Sequence, residues 1–239
     1  MPCQTTFKRY ELKYLLTLRE KENILNTMRE HMKLDSYGRT TIRNIYFDTA
    51  TFQLIRRSLE KPVYKEKLRV RSYCRVKEKD PVFVELKKKY KSVVYKRRLV
   101  LPEKAVMDSF QKGLPLPIAS QIGEEIQYFR DYYGELFPAV FLTYEREAFY
   151  SLDGSDFRVT FDENILYRRK DMDLGSRIYG IPLIEKNQSL MEIKTSGGIP
   201  LWMSHALSRC HIYQTSFSKY GSAYRQMMKE GMQGGYCYA

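Results

Sequence analysis

In six separate stretches of this 239-residue chain, charged side chains recur at every second position with apolar ones between them. A β-strand sends successive side chains to opposite faces, so each stretch makes a strand with one charged and one apolar face. Residues 64–75 set Lys65, Lys67, Arg69 and Arg71 against Leu68 and Val70; residues 81–89 set Glu85 and Lys87 against Val82, Val84 and Leu86. In 92–101, Lys96 and Arg98 oppose Val93, Tyr95 and Leu99, with Arg97 as an exception. Arg158, Thr160 and Asp162 oppose Phe157, Val159 and Phe161; Glu192 and Lys194 oppose Met191 and Ile193; Arg9, Glu11 and Lys13 oppose Tyr10, Leu12 and Tyr14.

Together with 7–16, 39–48, 139–149, 157–165 and 188–195, these segments predict eight strands. The connections after Arg75 and after Lys89 are too short for a crossover helix, so antiparallel pairing follows. Helical periodicity predicts helices at 18–33 and 118–134, and in the tail from Pro200 to Met228 with a candidate break at Thr215–Ser218. No repeat or low-complexity linker interrupts the chain, which predicts one domain over 1–239.

The charged faces are not an ordinary mixed solvent surface. The formal net charge is +13, and Lys61–Lys104 alone holds 16 Lys/Arg against 5 Asp/Glu. If eight strands curl into a barrel with helices over their apolar outer faces, the cations line its lumen, giving an α+β fold around an antiparallel β-barrel. Unpaired charge is too costly to bury without a counter-ion, so such a lumen requires an anion. The planar fork of Arg matches phosphate oxygens, which makes a phosphate chain the leading ligand. Glu11, Glu85 and Glu192 share those faces, and their hard oxygens suit Mg²⁺ or Mn²⁺ bridging to phosphates. The alternative is that each only neutralises a neighbouring Lys or Arg, a reading that fits Glu11 and Glu85 better than Glu192.

Other classes are disfavoured. Cys3, Cys74, Cys210 and Cys237 form no C-x-x-C, and His31, His205 and His211 are poorly spaced for a metal cage. No apolar run reaches the roughly 18–20 residues of a membrane span, and the N-terminal stretch lacks a signal-peptide pattern, so a cytoplasmic protein without a membrane segment is expected. Single-strand nucleic-acid readers interleave aromatics with cations on one face, whereas here the interleaved residues are Leu, Val and Ile on the other, so no nucleic-acid partner is expected.

At this point the residues resemble a known family, the triphosphate tunnel metalloenzymes, and within it the VTC-type polyphosphate polymerase domain. The similarity is carried, in order, by 9-RYELKY-14, 43-RNIYFDT-49, 67-KLRVRSY-73, 83-FVELKKK-89, 91-KSVVYKRR-98, 143-TYEREAFY-150, 157-FRVTFD-162, 190-LMEIKTSGG-198 and 217-FSKY-220. The resemblance implies an eight-stranded tunnel with helices outside. It implies transfer of the terminal phosphoryl of ATP to inorganic polyphosphate, releasing ADP, with Mn²⁺ or Mg²⁺ as cofactor. By motif, Lys13, Arg69, Arg71, Lys87, Lys96, Arg146 and Arg158 would hold phosphates, with Arg43, Lys91 and Lys194 as further substrate contacts. Tyr144 would hydrogen-bond a phosphate oxygen, Glu192 would ligate the metal, with Glu11 and Glu85 as further candidates, and Ser218 and Lys219 would close one tunnel end. The hydrolytic members begin with Glu-x-Glu-x-Lys, where this chain has Arg9, Glu11 and Lys13, which argues against two-metal triphosphate hydrolysis. A noncatalytic polyphosphate-binding module and a triphosphatase stand as alternatives.

Overall fold

The computed structural model describes residues 10–91 and 93–234, with side chains to residue 230. The expected strand start at residues 7–9, including Arg9, lies outside the described residues, as do Cys3, Ser92 and Cys237.

The chain runs β1 (Tyr10–Thr17), α1 (Leu18–Met28), β2 (Met32–Leu34), β3 (Thr40–Asp48), α2 (Gln53–Leu59), β4 (Tyr64–Ser72), β5 (Pro81–Tyr90), β6 (Val93–Pro102), α3 (Glu103–Lys112), α4 (Gln121–Tyr133), β7 (Phe137–Ser151), β8 (Arg158–Arg168), β9 (Ile181–Pro182), β10 (Gln188–Thr195), α5 (Leu201–Arg209) and α6 (Lys219–Gly234). All eight expected strands are present, each within a few residues of its expected bounds. Alternating Val, Ile and Leu on their apolar faces supply the buried surface that selects strand over helix.

These strands form one antiparallel sheet in the order β1-β10-β8-β7-β3-β4-β5-β6, with β2 added beside β7 and β9 beside β8. The expected closed barrel is corrected here: β1 and β6 are the ends of that order and, among the described residues, do not pair with each other. The sheet is nonetheless strongly curled. Six inter-strand spacings of about 4.8 Å separate β1 from β5, about 29 Å if flat, far beyond the joint reach of two side chains. Yet Lys87 on β5 lies 3.1 Å from Glu11 on β1. The charged faces therefore turn inward and the sheet stays open along a seam. The seam edge of β1 is partly covered, since the Thr215 amide donates to the Lys13 carbonyl (2.7 Å).

The outward faces carry two apolar clusters. In one, Leu68, Val70, Val82, Val84 and Leu86 pack with Val106 of α3 and Ile126 and Phe129 of α4. In the other, Tyr14, Val159, Phe161, Met191 and Ile193 pack with Ile24 and Met28 of α1 and Met203 and Leu207 of α5. Helix α1 starts at a capping box, in which the Thr17 side chain accepts from the Glu20 amide and Glu20 answers the Thr17 amide. It ends at Met28, short of the expected 33, because Met32 leaves the helical stripe to pair with Ser151 of β7.

The expectation that all helices lie outside is also corrected. Ile42 and Tyr46 of β3, Leu142 and Tyr144 of β7 and Leu190 of β10 have concave-face parity, and they pack with Ile55 of α2 and Tyr220, Ala223 and Met227 of α6. A left-handed residue, Asn164 (φ 49°), interrupts the alternation of β8 after Asp162, and Ile165 and Tyr167 beyond it join this same cluster. Helix α6 thus fills one end of the curled sheet and faces its N-terminus toward the charged part. Gly221 lets α6 lie close against α2: a Cβ there would stand 2.9 Å from Leu59 Cδ2.

Candidate functional site

The inward charges organise around two buried carboxylate centres. Glu85, in register between Arg69 of β4 and Arg98 of β6, is 1% exposed. It accepts from Arg69 (Nε 2.9 Å, NH2 2.7 Å) and Arg98 (Nε 2.8 Å) and pairs with Lys96 (2.7 Å), with Arg71 at 4.0 Å. Burial opposes its charge, but Arg69, Arg71, Lys96 and Arg98 outweigh that and hold its pKa well below the usual carboxylate range.

The second centre is Glu192 with Asp162. Glu192 meets Lys194 and Lys219 at 2.9 Å, Arg146 at 3.3 Å and Lys13 at 3.7 Å. Asp162 takes a bidentate pair from Arg146 (both contacts 2.6 Å) and the Lys219 ammonium at 2.5 Å. Both are held low in pKa: burial acts against ionisation, and Lys194, Lys219, Lys13 and Arg146 around Glu192, and Arg146 and Lys219 around Asp162, reverse it. Glu11, bound by Lys87 and Lys13, joins this centre to the β5 wall and is likewise held low, chiefly by Lys87.

Tyrosines connect the two centres. Arg71 donates to Tyr144 Oη (2.9 Å) and Asn44 Oδ1 (2.8 Å), Arg69 donates to Tyr46 Oη (2.9 Å), and the Tyr144 ring lies under both Arg146 (5.2 Å) and Lys219 (4.6 Å). The 217–219 segment crosses the same face: the Phe217 carbonyl accepts from Lys13 (2.9 Å) and Ser218 Oγ from Lys67 (3.1 Å), while Lys219 reaches the acids. Ser218 Oγ also accepts from the Gly221 amide, capping α6, so the helix start and the Lys67 contact are one feature.

Of the expected residues, the structure therefore gathers Lys13, Arg69, Arg71, Lys87, Lys96, Tyr144, Arg146, Lys194, Ser218, Lys219, Glu11, Glu85 and Glu192. Arg158 joins them on the same face, opposite Lys194 in register, with its guanidinium 4.5 Å over the Tyr150 ring and its Nε without a hydrogen-bond partner among the described residues. Two do not join them. Lys91 sits exposed at the β5–β6 hairpin over the Tyr90 ring, with its amide bonded to the Val63 carbonyl. Arg43 shares the parity of Ile45 and Phe47, which belong to an outward-face cluster, and donates to the Leu174 and Ser176 carbonyls (2.9 and 2.6 Å). Its expected substrate role is thus replaced by anchorage of the 174–176 loop. Arg43→Met should leave those carbonyls unsatisfied at about 1–3 kcal/mol, lowering the melting temperature by several degrees, which calorimetric melting checks.

The family resemblance implied no role for Asp162, Arg98, Tyr46 and Asn44, although strand parity places each on the charged face. Lys67 is the other residue left without a role, and its surroundings are distinctive. It stands in register with Lys87, beside Lys65 and Lys13, and its hydrogen-bond partner is the neutral Ser218 hydroxyl. Burial first, then the charges of Lys87, Lys13, Lys65 and Arg69, push its pKa down to about 7. Burial, with Arg69 and Arg98 and against the pull of Glu85, brings Lys96 down to about 7 as well. An anion favours the protonated form of each and raises both values. Binding of a phosphate-like anion should therefore take up protons near pH 7 and weaken as pH rises from 6 to 8. Titration calorimetry in buffers of different ionisation enthalpy measures that uptake, and Lys67→Met should reduce it.

Among the described residues, no three His, Cys, Asp or Glu side chains converge as a ready metal cage. Glu11 and Glu192 nevertheless offer hard oxygens on paired strands and share Lys13 between them, so these two residues would hold a divalent cation. Among the described residues, Glu85 shares no ion-pair partner with either.

The profile of the VTC domain family matches residues 8–228. A candidate adenylate cyclase from Bacillus halodurans has a similar fold, with a TM-score of 0.55 at 15% identity, over 90% of this chain and 96% of its own. A candidate adenylate cyclase from Vibrio parahaemolyticus superposes with a TM-score of 0.47 at 10% identity, over 92% of this chain and 99% of its own. No curated protein matches the chain in sequence. Among the described residues, no helix is long and apolar enough to cross a membrane.

Proposed function

The chain belongs to the VTC domain family, and from that premise we propose that it transfers the terminal phosphoryl group of ATP onto inorganic polyphosphate within the curled sheet. The observation that carries this reading is the excess of inward cations over Glu11, Glu85, Asp162 and Glu192, with Lys67 left facing other cations. A face so arranged is incomplete without an extended polyanion.

Phosphoryl transfer needs little covalent chemistry from a protein; it needs donor and acceptor held in line while charge shifts among oxygens. Arg69, Arg71, Lys96 and Arg98, pre-oriented by Glu85, present guanidinium and ammonium groups to the donor triphosphate. Arg146, Lys194 and Lys219, held by Asp162 and Glu192, stand where negative charge gathers on the transferring group. Lys13, Lys67 and Lys87 then lead the acceptor chain toward them. The acceptor oxygen is already anionic, so no general base is required. The bond from the γ-phosphorus to the ADP oxygen breaks, a new phosphoanhydride forms at the chain end, and ADP leaves with the electron pair.

Glu192 and Glu11 would hold Mn²⁺ or Mg²⁺, which when bound neutralises charge on the phosphate oxygens. The expected result is ADP release from ATP that requires the cation and is stimulated by added short-chain polyphosphate. Tight polyphosphate binding without ADP release would instead make this a binding module.

A further inference from the structure

The cation rows of β4 and β5 end in aromatic residues. Tyr73 follows Arg69 and Arg71 in strand parity, just beyond the end of β4, and Phe83 precedes Glu85 on β5, in register with Arg71. Their rings meet edge to face, with centroids 5.3 Å apart at 80°. Arg98 covers one side of Phe83 at 4.6 Å and donates to Tyr73 Oη at 3.1 Å, while Arg71 lies 5.9 Å from the Tyr73 ring centre. Tyr73 is 39% exposed. The opposite ends of these rows carry Lys65 and Lys89, directly paired, with no aromatic ring on the same faces. One end of the charged face is thus built for a flat apolar group beside phosphate, and the other for phosphate alone.

We propose that Tyr73 and Phe83 form the base-binding subsite for the nucleoside triphosphate donor, with Arg98 bridging base and phosphates; this rests on the phosphoryl-transfer reading above. A planar base stacks on the exposed Tyr73 ring, as bases do on aromatic platforms generally. The ribose spans the next two-residue step of the strand, about 6.6 Å, which sets the α-phosphate at Arg71 and the outer phosphates at Arg69 and beyond. Inorganic polyphosphate has no base to offer the platform, so the site distinguishes donor from acceptor. The lysine-lined end is left to the inorganic chain.

Two probes separate this inference from the reading beneath it: ATP and inorganic tripolyphosphate, each titrated calorimetrically into the wild-type protein and into Tyr73→Ala, Phe83→Leu and Tyr73→Phe. Stacking contributions of this kind make ATP binding weaken about tenfold in the first two variants, with tripolyphosphate affinity unchanged and Tyr73→Phe close to wild type. Equal weakening of both ligands, or no change in either, would overturn the subsite. So would selective loss of ATP affinity in Tyr150→Ala but not in Tyr73→Ala, since Arg158 also covers an exposed ring there. Should Phe83→Leu fail to fold, Tyr73→Ala at the exposed ring decides alone. A wild-type protein that binds neither ligand overturns the phosphate site itself, and this inference with it.

Discussion

Glu192→Gln should lower cation-dependent ADP release by on the order of a hundredfold or more while leaving polyphosphate binding intact. The charge stabilisation supplied by a bound divalent ion amounts to several kcal/mol, and about 1.4 kcal/mol corresponds to tenfold in rate. Lys194 and Lys219 donate to different oxygens of Glu192, so glutamine keeps the shape and the acceptor for one of them, while Asp162 still holds Lys219 and Arg146. The substitution removes the charge that offsets Lys13, Lys194, Lys219 and Arg146, which makes the site more attractive to an anion. Loss of turnover with equal or tighter binding separates this from simple misfolding. Unchanged ADP release would rule out Glu192 as the residue that holds the cation.

Asp162→Asn carries the largest expected effect on stability. The carboxylate is fully buried, and the side chain binds Arg146 through two contacts and Lys219 through a third. Removing one partner of a buried ion pair leaves the others uncompensated, at about 3–5 kcal/mol, which for a chain of this size lowers the melting temperature by roughly 10 °C. Polyphosphate at a hundredfold its dissociation constant should add about 2.7 kcal/mol by mass action, offsetting much of that loss. The wild-type pH dependence has the matching sign. Asp162, Glu85 and Glu192 all have folded pKa values below their ordinary ones, so their stabilisation is present above the normal carboxylate range and is lost as pH falls through the lowered values. Asp162→Asn should flatten that acid limb. A melting temperature within a degree or two of wild type would contradict the account.

Strand parity made much of this legible in the sequence. The alternation in 64–75 puts Lys67, Arg69 and Arg71 on one face, and that is the face they share with Glu85, Glu11 and Ser218. What parity cannot report is how the sheet ends. Whether β1 and β6 pair depends on curl and strand number together, and neither leaves a local signature. The inward position of α6 is equally remote from its own sequence: its apolar residues Tyr220, Ala223 and Met227 would suit either face of a sheet. The missed helices have local causes. Helix α2 lacks a side-chain cap at its own N-cap and begins after Phe52 in a left-handed conformation, while α3 starts directly behind Pro102. Arg43 shows the reverse failure, in which family resemblance placed a residue that the parity of its own strand puts on the other face. The aromatic pair at Tyr73 and Phe83 was likewise readable, one step beyond the cations on each strand.

The direct test of the central claim follows the γ-phosphate. Protein incubated with γ-labelled ATP, Mn²⁺ and a short polyphosphate primer should yield ADP and acid-labile chains longer than the primer, with label in those chains in proportion to the ADP formed. Label recovered as free orthophosphate, or ADP formed without chain growth, would contradict it and make the curled sheet a hydrolase site.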